Sequence, residues 1–163
     1  IYKNEELYNI MRALGVEDGM DGLRYNKVVI ATDADVDGMH IRNLLLTYFL
    51  RYFEELVSHG HVYILETPLF RVRNKKHTRY CYSEAERDEA MADISGPEVT
   101  RFKGLGEINP SEFKQFIRSE DMRLVPVTVS SMSEVENALE FFMGRNTPAR
   151  KQFIVDNLIT DLV

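Results

Sequence analysis

The sequence predicts an α/β fold: a parallel sheet flanked by helices, followed by a smaller α+β tail. Three observations predict it. A short β-rich run, Lys27 to Thr32 (KVVIAT), precedes a long apolar stripe at helical spacing and a second apolar run, Val62 to Leu65. That is the order of a right-handed βαβ unit. An alternating stretch after it reads as a hairpin, and past residue 100 capping signals open short helices.

The elements follow in order. Asn4 to Ala13 reads as a helix, with Leu7, Ile10, Met11 and Leu14 on one face and Gly15 as its stop. Glu17 to Asn26, with Gly19, Asp21 and Gly22, reads as a loop. KVVIAT has the apolar, β-branched character of a buried parallel strand. From Met39 to His59, Ile41, Leu44, Leu45, Tyr48, Phe49, Tyr52, Phe53 and Leu56 recur at steps of three and four. They predict one long, heavily buried helix ended by Gly60. Phe70 to Arg73 and Tyr80 to Tyr82 alternate as hairpin strands. Ser83 and Glu86 form a capping box for a helix to about Asp93. Val99 to Lys103 is a strand candidate. Asn109 can cap a helix with Pro110 at its first position. Leu124 to Val129 is strand-like, at an edge because of Pro126. Ser133 with Glu136 opens a helix to Gly144, and Thr147-Pro148 opens the last, to about Leu158.

Composition narrows the class. The 163 residues suffice for one compact domain with a real core, or one plus a small appendage. No apolar run is long and uncharged enough for a membrane span; Leu44 to Phe53 is short and contains Arg51. The lone Cys81 excludes a disulfide framework and a cysteine-rich zinc site, which points to a reducing, cytoplasmic compartment. The start at Ile1 rather than Met is expected of a piece of a longer protein. A net charge of −6, from 26 acidic and 20 basic residues, argues against a general nucleic-acid coat. It leaves room for a local basic surface, and Arg71, Arg73, Lys75, Lys76, His77 and Arg79 form one. That run is read as a solvated hairpin, with DNA or a protein partner as the alternative.

The sharpest signal is Thr32-Asp33-Ala34-Asp35-Val36-Asp37-Gly38, three alternating carboxylates after a buried strand. The carboxyl edge of an open α/β sheet is where ligands bind. Adjacent carboxylates repel, and a hard divalent cation relieves them; Mg²⁺ takes few carboxylates and keeps waters that a phosphate can replace. The plain alternative is a solvated acidic turn capping the next helix, for which one aspartate would do. A calcium EF-hand would need an acidic twelfth position, here Leu44, and a preceding helix rather than a strand. Aspartyl-phosphate chemistry would put Thr or Val where Asp37 stands. A two-metal phosphodiester site uses all three acids, Asp33, Asp35 and Asp37.

The run Ala31 to Phe49 (ATDADVDGMHIRNLLLTYF) resembles the DxD motif and following helix of the TOPRIM fold in the B subunits of bacterial type IIA DNA topoisomerases, gyrase and topoisomerase IV. Glu66 to Val72 resembles that family's next strand and turn, and Arg101 to Pro110 its KGLGE-x-NP signature. Met143-Gly144, Arg150 and Phe153-Ile154 resemble its C-terminal tail. The likeness runs in the family's order over nearly the whole chain. The tail MGRNTPARKQFIVDNL, and the absence of an insertion many gyrase B subunits carry, favour the topoisomerase IV form.

The resemblance implies a TOPRIM-like parallel sheet lacking its first part in residues 1–100, with the hairpin, and a C-terminal tail region in 101–163. It implies Asp33 and Asp35 as the catalytic metal-binding pair and Asp37 as a third acid of a Mg²⁺ site. It implies weaker DNA-binding or site-supporting roles for His40, Arg42, Lys103, Gly104, Gly106 and Glu107. The plain reading of His40 and Arg42 is a structural one, and of the two glycines a tight turn or close backbone approach to DNA or the metal loop. The family's nucleophile is a tyrosine on the partner A subunit, within an A2B2 heterotetramer acting on DNA and using ATP in a part of the B subunit outside this chain. The upstream EGDSA-type motif, with its catalytic Glu, has no counterpart here, so the fragment alone is expected to be inactive. A non-catalytic docking module for the A subunit and DNA is the reading of a different class.

Overall fold

The computed structural model describes residues 2–118 and 122–158. Helix α1 (Glu5–Leu14) starts where Asn4 accepts the Leu7 N–H at 2.9 Å. It stops at Gly15, which has φ 74°. A Cβ on Gly15 would lie 2.4 Å from the Gly22 carbonyl, so glycine here lets the 17–26 loop fold back on the helix end. Strand β1 (Val28–Ile30) pairs in parallel with β2 (Val62–Leu65), and β6 (Leu124–Pro126) joins the other edge of β2 antiparallel. This first sheet is therefore mixed, where the sequence predicts a parallel one: a single crossover yields one parallel pair, and the third strand arrives from the far end of the chain. As expected of a strand holding Pro126, β6 lies at the edge.

Between β1 and β2 the predicted single helix is two. Helix α2 (Val36–Tyr52) begins three residues before the predicted start at Met39, because Asp35 caps it. The chain leaves helical geometry at Phe53 (φ −138°, ψ 51°) and resumes as α3 (Glu54–Ser58). Nor is the stripe heavily buried throughout. Tyr48 and Phe49 are, with Leu56 and Val57 of α3, but Ile41 and Leu44 are 52% and 47% exposed. The buried members meet Met11, Leu14, Val16, Ile30 and Val62 in one core. The Tyr48 hydroxyl reaches into it to donate to the Leu7 carbonyl at 2.8 Å, and burial pushes that phenol up to about 12.

The second sheet has the order β4-β3-β5, built of β3 (Phe70–Arg73), β4 (Thr78–Cys81) and β5 (Glu98–Arg101), all antiparallel. Its inner face, Phe70, Val72 and Cys81, packs on Ala90 and Ile94 around helix α4 (Glu84–Asp93). The expected capping box forms in a shifted version: Ser83 accepts from the Glu86 N–H, while Glu86 reaches one residue past the cap to the Tyr82 N–H at 2.8 Å. Cys81 is fully buried, which raises its thiol pKa and keeps it unreactive. Helices α5 (Pro110–Phe116), α6 (Met132–Met143) and α7 (Thr147–Asp156) complete the tail. Helix α6 starts after Ser131 rather than at Ser133, and Ser131 and Ser133 bond each other instead of capping. No helix among the described residues is long and apolar enough to cross a membrane.

Candidate functional site

The acidic run leaves the carboxyl end of β1 and turns straight into α2, so its first task is local. The Asp35 carboxylate accepts the Gly38 N–H at 2.8 Å and thereby starts the helix. Gly38 is buried, and a Cβ there would sit 2.1 Å from the Asp33 carbonyl oxygen; the run folds that tightly. Asp37 follows in the first helical turn, exposed, beside the positive end of the helix dipole.

Asp33 points elsewhere. Its Oδ1 accepts the Leu105 N–H at 2.6 Å across a separation of 72 residues, and a Cβ on Gly104 would lie 3.1 Å from the Asp33 carboxylate. The glycine thus lets the 103–107 loop approach the acid closely. Among the described residues none of the three aspartates is held in an ion pair with arginine or lysine.

The expected joint grip by all three carboxylates is not formed. No three His, Cys, Asp or Glu side chains among the described residues come together as a metal cage. The reason is local: Asp35 spends one oxygen on the helix start, and Asp37 sits beyond it on the helix. Asp33 and Asp35 each keep a second oxygen without a hydrogen bond among the described residues. Such hard, partial donors fit Mg²⁺, which binds through one or two carboxylates and completes its shell with water and phosphate.

The weaker candidates separate. The Arg42 Nε donates to the buried Thr32 hydroxyl at 3.4 Å, bracing the strand end rather than pairing with the acids. His40 is exposed. The Glu107 carboxylate accepts the Lys103 N–H at 2.9 Å and closes the loop on itself, leaving the Lys103 side chain exposed. Nothing in this chain lies within 4 Å of a Cβ built on Gly106, so the close approach considered for both glycines occurs here at Gly104.

A cluster that periodicity does not reveal lies behind the loop. Arg71 on β3 donates to Glu112 on α5 at 2.6 Å and to Thr100 on β5 at 3.2 Å. The Tyr80 hydroxyl on β4 donates to the same Glu112 oxygen at 3.1 Å. Burial pushes the Glu112 carboxyl up, but the Arg71 and Tyr80 hydrogen bonds, with the Arg71 charge, win and hold it below the usual carboxylate range. Tyr80 is pushed up to about 12, by burial first and then by its bond to Glu112. The arginines of the basic run are therefore neutralised: Arg71 pairs with Glu112, Arg73 with Glu98, and Arg79 with Glu89 and Asp93, while Lys75, Lys76 and His77 are exposed. Alternation along β3 foretells that Arg71 and Arg73 share a face; nothing local foretells a partner 41 residues away.

A carboxyl whose folded pKa is lowered contributes stability above its unfolded pKa and loses it as pH falls through the folded value. Glu112→Gln is thus expected to lower the melting temperature at neutral pH, with the gap to wild type closing in acid. Thermal unfolding of both proteins across that range checks it; a gap that persists unchanged in acid would contradict the assignment.

Two family models match the chain: the Toprim domain over residues 4–67 and the DNA gyrase B subunit carboxyl terminus over residues 95–155. The B subunit of DNA topoisomerase 4 from Borreliella burgdorferi is 62% identical over 160 residues, 98% of this chain and 27% of that protein. The chain belongs to the type II topoisomerase B-subunit family. The DNA gyrase B subunit of Archaeoglobus fulgidus is 37% identical, over 95% of this chain and 25% of its own length. A solved Plasmodium falciparum topoisomerase II DNA-binding, cleavage and re-ligation domain superposes with a TM-score of 0.76 at 25% identity, covering 97% of this chain and 23% of that one. This B-subunit segment spans about a quarter of the length of the curated relatives it matches. Within it, the Asp33–Leu105 bond joins the Toprim match to the gyrase B carboxyl-terminal match.

Proposed function

We propose that this chain is part of the DNA cleavage and religation core of an ATP-dependent type IIA topoisomerase, of the topoisomerase IV form. The observation that carries the reading is the Asp33 carboxylate, free of ion pairs, set at the carboxyl edge of β1 and steadied by the Leu105 N–H. The 62% identity to a topoisomerase 4 relative, against 37% to 40% for gyrase B subunits, supports the form. Residues 1–100 serve as the metal-bearing part with its hairpin, and 101–163 as the tail.

Asp33 and Asp35, with Asp37 adding negative charge, would hold Mg²⁺. Such an ion would stabilise charge on the DNA phosphate and the departing 3′ oxygen. The protein's own work is to hold the acids apart from basic side chains and to fix the Asp33 rotamer against a backbone N–H. The attacking hydroxyl belongs to a tyrosine of the A subunit in an A2B2 assembly, and ATP is used in another part of the B subunit. DNA and the A subunit are the partners, in the cytoplasm. His40 and the Lys103 side chain, both exposed near the run or its loop, contribute DNA contact, and Gly104, Gly106, Glu107 and Arg42 support the site.

Calorimetric Mg²⁺ titration of the full-length protein tests the metal. Wild type should bind, and Asp35→Asn should bind about 10-fold or more weakly, on the scale of disturbing a metal site's ligand shells. Equal binding by both proteins would favour the docking-module reading instead.

A further inference from the structure

Resting on the function proposed above, we infer that Arg71, Tyr80 and Glu112 form a positioning clamp that sets the Leu105 N–H against Asp33 and so tunes the metal site. The geometry of the loop leads to it. Residues 103–107 hold the acid through one backbone N–H, and the loop's own bonds are all short-range. The Lys103 N–H donates to the Glu107 carboxylate, the Glu107 N–H to the Gly104 carbonyl at 3.1 Å and the Ile108 N–H to the Leu105 carbonyl at 3.2 Å; these shape the turn but do not anchor it to the rest of the chain. Its register must come from its two ends. Those ends are Phe102 and Ile108, both buried, packed together with Tyr80, Leu105 and Phe113 in a small core of their own.

The clamp closes over this core. Arg71 lies over the Phe102 ring, 5.8 Å from its centroid. Glu112 stands in the first turn of α5, directly after the loop, behind the Asn109 cap and Pro110. One carboxylate therefore ties the helix that follows the loop to β3 through Arg71 and to β4 through Tyr80. Thr100 adds the strand that precedes the loop. All four segments that could let the loop slide are fixed at one point.

Stability alone is a poor reason for such a group. The Arg71 and Glu112 side chains are only 14% and 18% exposed, and the Arg71 Nε is buried with no hydrogen-bond partner among the described residues. Buried ion pairs often do no better for stability than apolar residues of the same volume, whereas their geometry is specific. Outer groups that orient a ligating carboxylate commonly alter metal affinity or activity when removed. The clamp supplies that orientation at one remove: it acts on the loop, and the loop acts on Asp33.

The test uses the full-length B subunit reconstituted with its A subunit, measuring DNA cleavage across a Mg²⁺ titration. Glu112→Gln should raise the Mg²⁺ concentration for half-maximal cleavage by about 10-fold, the lower end of the range for such outer groups, and Tyr80→Phe, which removes one bond of the cluster, by about 3-fold, below that range. Arg73→Met, which breaks the exposed Arg73–Glu98 pair on the same sheet, should leave it unchanged. Tyr80→Phe loses one hydroxyl and keeps its ring, so it remains readable if Glu112→Gln folds poorly. A merely structural role predicts lower melting temperatures with the Mg²⁺ midpoint unmoved, and that result overturns the clamp. Asp33→Asn, run alongside, separates the two possible failures. Full cleavage by that variant would remove the metal reading and the clamp together; loss of cleavage with unmoved clamp variants would remove the clamp alone.

Discussion

Asparagine in place of Asp33 is expected to cut Mg²⁺-dependent DNA cleavage by the reconstituted enzyme about 10²–10³-fold, the scale for removing one preorganised charge-stabilising group. The fold should survive. Asparagine has nearly the same shape, and its Oδ1 still accepts the Leu105 N–H now made at 2.6 Å. What disappears is the negative charge. Asp33→Ala differs in kind: it removes both the charge and the acceptor, so the 103–107 loop loses its hold as well. Melting curves should therefore match wild type for Asn and fall for Ala, while cleavage fails in both. Wild-type cleavage by Asp33→Asn would show that the carboxylate is not a metal ligand.

The second large effect is at Gly38. Replacing a glycine inside a helix by alanine ordinarily stabilises, by about 0.5–1 kcal/mol. Here a Cβ would stand 2.1 Å from the Asp33 carbonyl oxygen, a backbone atom with no side-chain freedom to yield. The clash wins, with an expected cost of about 1–3 kcal/mol or more, as for overpacked interiors. Relief can come only by moving the Asp33 backbone or the start of α2, so cleavage should fall with stability. Gly106→Ala is the control, because nothing in this chain lies within 4 Å of its Cβ position. Chemical denaturation of both variants decides the matter: equal stabilities would mean that the turn has room the structure denies it.

Much of this is legible in the residues. The strand at Val62–Leu65 and the helix at Glu84–Asp93 lie where the apolar run and the Ser83–Glu86 box put them. Local chemistry fixes both, so a local reading succeeds. The long helix departs from its pattern where the outcome depends on distant packing. Its apolar spacing gives no sign of the break at Phe53, nor that Ile41 and Leu44 stay largely exposed. At the site, the acidic run and the Gly104 loop each stand out in sequence, but only the folded chain brings them within one hydrogen bond. The Arg71–Glu112–Tyr80 cluster has no signal beyond a basic run read as a solvated hairpin, and that reading does not show that the three arginines of the run each pair with an acid.

The strand order carries a consequence for synthesis. Both central strands, β2 and β3, lie in the first half of the chain, yet each takes one of its neighbours, β6 and β5, from much later. While the polypeptide is being made from its amino terminus, these two strands must wait with one flank of N–H and C=O groups unpaired. The carboxyl-terminal residues finish the architecture of the earlier ones, so the half that bears the acids cannot complete its sheets before the half that bears the glycine loop has been translated.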